Sequence, residues 1–119
     1  MNHRQRYSAT EILFNPRLVG KNEKGIVDMA FTSIEKCDSD LKVNLYNNIV
    51  LAGGSTLMPG FKERFEDELI KVAEQHTKTD INVFADLHRK NAAWIGGSMI
   101  SSFSTFRDMA ITREEYEST

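Results

Sequence analysis

The chain has 119 residues, 40% hydrophobic and 27% charged, a balance ordinary for a globular protein and too apolar for a disordered one. Fifteen Lys and Arg against seventeen Asp and Glu leave a formal net charge of −2, so no cationic excess exists to drive general nucleic-acid binding. One cysteine, Cys37, excludes an internal disulfide framework and a zinc site built on several thiolates. The three histidines, His3, His76 and His88, stand far apart and show no metal-ligand spacing. The basic start, Met1 to Tyr7, lacks the apolar stretch of a secretory signal, and no apolar run approaches the roughly 20 residues of a membrane span. The expectation is an intracellular, soluble chain without membrane or direct nucleic-acid partners, one domain in size or a piece of a larger protein.

Residues 8–14 predict a short helix, with Ser8 or Thr10 as its cap, Glu11 in its first turn and Pro16 beyond its end. Residues 17–25, with Gly20, Asn22 and Gly25, read as an exposed loop. From there Ile26, Val27, Ala30, Phe31 and Ile34 recur at helical spacing, and Cys37, read as a small buried hydrophobe, closes the same face. Asp38-Ser39-Asp40 offers a cap for a second short helix bearing Leu41, Leu45 and Tyr46.

Ile49-Val50-Leu51-Ala52 is wholly apolar and starts with β-branched residues, which suits a strand buried on both faces of a parallel sheet. After a glycine turn and Pro59, a helix is predicted from the stripe of Phe61, Phe65, Leu69, Val72 and Ala73. Lys62–Glu66 and Asp67–Lys71 stand at i,i+4 on its solvated side. A second strand follows at residues 81–85. A helix from residue 91 to about 106 carries Trp94, Ile95, Met99, Ile100 and Phe103. Its Gly96-Gly97 pair costs about 1 kcal/mol per glycine relative to alanine, which implies close backbone approach. The order helix, helix, strand, helix, strand, helix defines an α/β class, with a β-α-β crossover if the strands are parallel. Two strands make a poor sheet, so partner strands are expected elsewhere.

The constellation with ligand chemistry is Val50-Leu51-Ala52-Gly53-Gly54-Ser55-Thr56. Glycines at the carboxyl end of a buried strand let backbone N–H groups approach a phosphate or ribose, and a helix amino terminus beyond would favour negative charge. A plain strand-to-helix turn that uses glycine for its geometry is the other reading. The segment is neither a Walker A loop nor Gly-x-Gly-x-x-Gly. Ser55 has no neighbouring histidine. Glu63, Glu66, Asp67 and Glu68 look solubilising rather than catalytic. Arg89-Lys90 could meet an anion, although surface cations are commonplace.

Longer stretches carry a resemblance. The run from Ile49 through Gly53-Gly54-Ser55-Thr56-Leu57-Met58 to Gly60 resembles the adenosine-binding strand-turn-helix of actin and actin-related proteins. Arg89-Lys90, Trp94-Ile95-Gly96-Gly97-Ser98, Ser104-Thr105-Phe106 and Glu114-Glu115-Tyr116 resemble that family's carboxyl-terminal signature. Glu11 to Pro16 and Ser33 to Asp40 match as well, so the similarity runs from about Tyr7 to Tyr116.

The resemblance implies a partial actin-like (ribonuclease H-like) ATPase fold. Residues 1–90 would supply most of subdomain 3, and residues 91–119 the return into subdomain 1. By the same resemblance, Gly53, Gly54 and Ser55 lie against the nucleotide, Leu57 and Met58 beside the adenine, and Lys90 packs on that ring. Ile100, Phe103, Thr105 and Met109 belong to an apolar groove for actin-binding partners and neighbouring subunits. Residues 17–25 match a loop that crosses the filament.

Several positions depart from the family pattern. Met58 replaces an aromatic, Lys21 an apolar residue and Ala110 a tryptophan, and the link near residues 75–80 is slightly longer. The family's phosphate-binding hairpins, metal-associated aspartate and water-positioning residue would lie upstream of this sequence, with Met1 in mid-domain. The complete fold implies ATP or ADP with a divalent cation and ATP hydrolysis; the chain alone is expected to hold no cofactor and to be no enzyme by itself. Two roles follow: the carboxyl-terminal portion of an ATP-binding cytoskeletal filament or scaffold subunit, or a stand-alone, non-enzymatic half-actin module completing a larger ciliary or chromatin assembly. Both imply protein partners. They place the chain in the cytoplasm or cytoskeleton, with cilium or nucleus as alternatives. A sugar- or acetate-kinase relative shares the fold, but Trp94 to Gly97 and Glu114 to Tyr116 speak against it.

Overall fold

The computed structural model describes residues 10–76 and 79–118. Ser8 as a helix cap and the basic stretch before it lie outside the described residues.

Residues 10–14 are helical (α1), and a 3-10 turn follows at Pro16–Val19. Then come α2 (Ile26–Glu35), α3 (Ser39–Tyr46), β1 (Ile49–Val50), a 3-10 turn at Gly54–Leu57 and α4 (Phe61–Ala73). The chain continues through β2 (Val83–Phe84), a 3-10 turn at Arg89–Asn91, α5 (Ala92–Ser101), α6 (Phe106–Met109) and α7 (Arg113–Glu117). The two strands are parallel, with Ile49 opposite Val83 and Val50 opposite Phe84. Ile49 N–H donates to the Asn82 carbonyl at 3.1 Å, and Leu51 N–H to that of Phe84 at 2.9 Å. The β-α-β unit expected from the sequence is therefore present, with α4 as its crossover.

The core lies on one side of this unit. Phe61, Phe65 and Leu69 of α4 pack with Phe14, Val27, Leu51 and Val83. Tyr46, Ile34 and Ala73 form a second buried group beside it. Gly25 fixes how α2 meets α1. A Cβ at this position would sit 1.9 Å from the Phe14 carbonyl oxygen, so no larger residue fits without moving backbone.

Two polar clamps close the packed unit. The Arg64 guanidinium lies 4.1 Å over the Phe14 ring, bonds both carboxylate oxygens of Glu11 and donates from Nε to Glu68 at 2.8 Å. Glu11 is held below the usual carboxylate range mainly by these Arg64 bonds. Glu35 accepts from Lys42 at 2.7 Å and from the Tyr46 hydroxyl at 2.9 Å, tying α2 to α3. Of the two charge pairs expected on α4, Lys62–Glu66 is present at 3.6 Å, whereas Asp67 and Lys71 form no ion pair.

Three expectations need correction. The strands are shorter than predicted and buried on one face: Leu51 and Val83 are buried, but Val50 is 70% and Phe84 54% exposed, because no described element covers the second face. Cys37 is exposed: α2 ends at Glu35, and the thiol turns back to the Ser33 carbonyl at 3.4 Å, on the exposed side of the helix. The long helix from residue 91 stops at Ser101. There the Ser101 and Ser102 hydroxyls both donate to the Ser98 carbonyl, at 3.0 and 2.8 Å, and compete with the helical ladder.

Beyond Asn91 the character changes. No residue of α5, α6 or α7 is buried, and α5 packs mainly on the Arg89–Asn91 turn. The radius of gyration, 18.3 Å, exceeds the roughly 13.5 Å of a compact chain this long. The accessible surface, 9552 Å², likewise exceeds the roughly 6,600 Å² of a compact protein of this mass.

Candidate functional site

The parallel pairing brings two turns together. One, Gly53 to Met58, leaves the carboxyl end of β1; the other, Asp86 to Asn91, leaves that of β2. This end of a parallel sheet is where α/β folds place ligands. Gly53 has φ +91° and ψ 151°, a conformation that side chains with a Cβ rarely adopt, so glycine is required here for geometry. The glycines lead into the Gly54–Leu57 turn, and α4 begins only at Phe61, so the helix amino terminus is set back from the glycines.

Hydrogen bonds fix the turn. Gly53 N–H donates to the Arg89 carbonyl at 2.9 Å. The Thr56 hydroxyl, in a buried residue, donates to the Gly53 carbonyl at 2.8 Å. Arg89 Nε donates to Thr56 Oγ1 at 3.0 Å, and Nη2 to the Thr56 carbonyl at 3.0 Å. Arg89 Nη1 donates to the Asp86 carbonyl at 2.8 Å and that of Ala85 at 3.4 Å. Among the described residues the backbone N–H groups of Gly54 and Ser55 have no backbone partner, and both residues are exposed. Lys90 follows Arg89 and reaches across, its Cγ 3.7 Å from where a Cβ on Gly54 would lie.

Of the residues singled out from the sequence, Gly53, Gly54, Ser55 and Lys90 thus converge on one exposed surface. It offers two N–H donors, a hydroxyl and an ammonium, and it suits a ligand rich in acceptors or negative charge. Leu57 is exposed at its edge, and Met58 is half-buried. The Met58 thioether accepts from the Thr10 hydroxyl at 2.9 Å, and the side chain packs against the core. Thr56 and Arg89 hold the site in shape. The sequence placed Arg89 among commonplace surface cations, and no local pattern links it to a threonine 33 positions earlier.

Ile100, Phe103, Thr105 and Met109 lie on α5, the turn after it and α6, and all four are exposed. Gly96 and Gly97 have open space where a Cβ would project, so the close approach expected of them involves nothing in the described chain. Two clefts lie away from the glycine turn. One, of about 470 Å³, sits between α1, the loop before α2 and α4, where Arg64 is already committed to Glu11 and Glu68. The other, of about 670 Å³, lies between the end of α4 and the approach to β2. Among the described residues, no group of three His, Cys, Asp or Glu could hold a metal ion, and no helix is long and apolar enough to cross a membrane.

A parallel β-α-β unit with a glycine turn at the carboxyl end of its first strand defines an α/β protein. The sequence model of the actin family matches residues 1–119, and the chain belongs to that family. It is 46% identical over 111 residues to centractin of Schizosaccharomyces pombe, an alignment covering 93% of this chain. The chain spans 29% of the length of that relative.

Proposed function

We propose that these residues form the carboxyl-terminal portion of an actin-related structural protein. Residues 1–90 make up most of the fold's subdomain 3, and residues 91–119 return into subdomain 1. Gly53, Gly54, Ser55, Leu57 and Met58 lie along the adenosine part of ATP or ADP, and the Lys90 stem packs on the base. The observation that carries this reading is the donor-rich turn at the end of β1, with Lys90 brought beside Gly54 from the end of β2. Among the described residues no group of three His, Cys, Asp or Glu could hold a metal ion, and no cation ligand is proposed among them. Ile100, Phe103, Thr105 and Met109 face protein partners, other actin-like subunits among them, in a cytoskeletal filament or scaffold.

The test is the affinity of the endogenous polypeptide containing this sequence for a fluorescent ATP analogue. Gly53→Val should weaken binding about tenfold or more, because a Cβ distorts the turn. Unchanged affinity would remove the nucleotide reading.

The bare sheet face at Val50 and Phe84 favours a second reading, in which a partner molecule completes a half-actin module. The intact mass of the endogenous protein separates the two. A mass near 13.6 kDa supports the module, and a much larger one the carboxyl-terminal portion.

A further inference from the structure

The bonds around Arg89 form a closed circuit. Gly53 donates to the Arg89 carbonyl, Arg89 donates from Nε to the Thr56 hydroxyl, and that hydroxyl donates back to the Gly53 carbonyl. A hydroxyl has one hydrogen and two acceptor lone pairs, and here it serves both as donor and as acceptor. Three of the four remaining guanidinium N–H groups donate to the Thr56, Asp86 and Ala85 carbonyls. Arg89 is half-buried and directs four of its five side-chain N–H donors to the protein itself. Its effect is geometric. It joins the turn after β1 to the turn after β2, and the next residue, Lys90, is the one that faces Gly54.

We propose that Arg89 is a positioning residue that, through Thr56, sets the gap between the open Gly54–Ser55 backbone and Lys90. In doing so it sets how tightly the turn grips the base-and-ribose end of a nucleotide. The inference rests on the nucleotide reading above. Lysine cannot replace arginine here, because an ammonium has no planar fork to bridge Thr56 Oγ1 and the Thr56 carbonyl together.

The experiment measures release of a fluorescent ATP analogue, and the preference for ATP over UTP, in the complete protein carrying this sequence. Arg89→Met, Arg89→Lys and Thr56→Val should each speed release about tenfold and narrow the preference, whereas Thr56→Ser should keep both near the parent values. The Arg89→Met/Thr56→Val double variant should be no worse than the poorer single variant, because both break one circuit. A general loss of stability would weaken ATP and UTP binding alike and would not be rescued by serine. Should Arg89→Met fail to fold, the Thr56→Val and Thr56→Ser pair decides. If Gly53→Val weakens binding while the Arg89 and Thr56 variants leave release and preference unchanged, the positioning role is overturned and the nucleotide reading stands. If the parent protein binds no nucleotide, both fall.

Discussion

Helices α4 and α5 make an instructive pair. Residue for residue α5 is the more apolar, yet α4 buries Phe61, Phe65, Leu69 and Ala73, and α5 buries nothing. Leu69 is 0% exposed and Trp94 76%. The difference lies in arrangement and partners. The apolar residues of α4 form one stripe, and a single sheet face with α1 and α2 is enough to cover it. Those of α5 are spread around the helix, and such a helix needs neighbours on several sides. Among the described elements its main neighbour is the short Arg89–Asn91 turn. Hydrophobicity makes burial favourable, but the amount gained depends on the surface available to bury against.

The sharpest way to break this contrast is a matched pair of truncations in the 119-residue chain. Leu69→Ala should cost about 3–5 kcal/mol by denaturant unfolding, because it opens a cavity in a closed core. Trp94→Ala should stay within about 0.5 kcal/mol. A large loss at Trp94 would mean that α5 docks on the packed unit in solution. Next comes Gly25→Ala, expected to cost about 1–3 kcal/mol because the new methyl meets the Phe14 carbonyl. Tyr46→Phe should cost about 1 kcal/mol, through loss of the hydroxyl bond to Glu35 in a buried residue. Arg64→Met should cost less than about 1 kcal/mol, since the Glu11 and Glu68 pairs are over a third exposed and screened by water.

The clamps also set the pH response of the packed unit. Glu11 and Glu35 are held below the ordinary carboxylate range, Glu11 chiefly by Arg64 and Glu35 chiefly by Lys42 and then Tyr46. A depressed pKa gives stability that is complete above about 4.3 and is lost as pH falls through the lower folded value. Tyr46 is pushed up, first by burial and then by the Glu35 bond. A raised pKa gives stability that is complete below about 10 and declines above it. Denaturation midpoints followed by circular dichroism should therefore fall on both flanks. Tyr46→Phe should flatten the alkaline flank, and Glu11→Gln should reduce the acid one. An unchanged alkaline flank in Tyr46→Phe would separate that flank from the α2–α3 clamp.

Much of this was legible in the residues. The α4 stripe, the β-branched start of β1 and the glycine punctuation after it are local patterns, and periodicity reports them directly. The family was legible too, because its motifs are long and in order. Burial was not. Cys37 continues the α2 spacing on paper, but the helix ends two residues before it, and the residue is exposed with its thiol turned to the Ser33 carbonyl. Val50 and Phe84 read as core, yet they stand on the sheet face that no described element covers. Arg89 read as a solvated cation, yet its fork donates to the hydroxyl and the carbonyl of Thr56, a pairing across 33 residues that exists only because β1 and β2 lie side by side. A pattern of neighbours in sequence fixes which face of an element is apolar. Whether that face is covered, and which distant groups it meets, depends on how the elements come together in space.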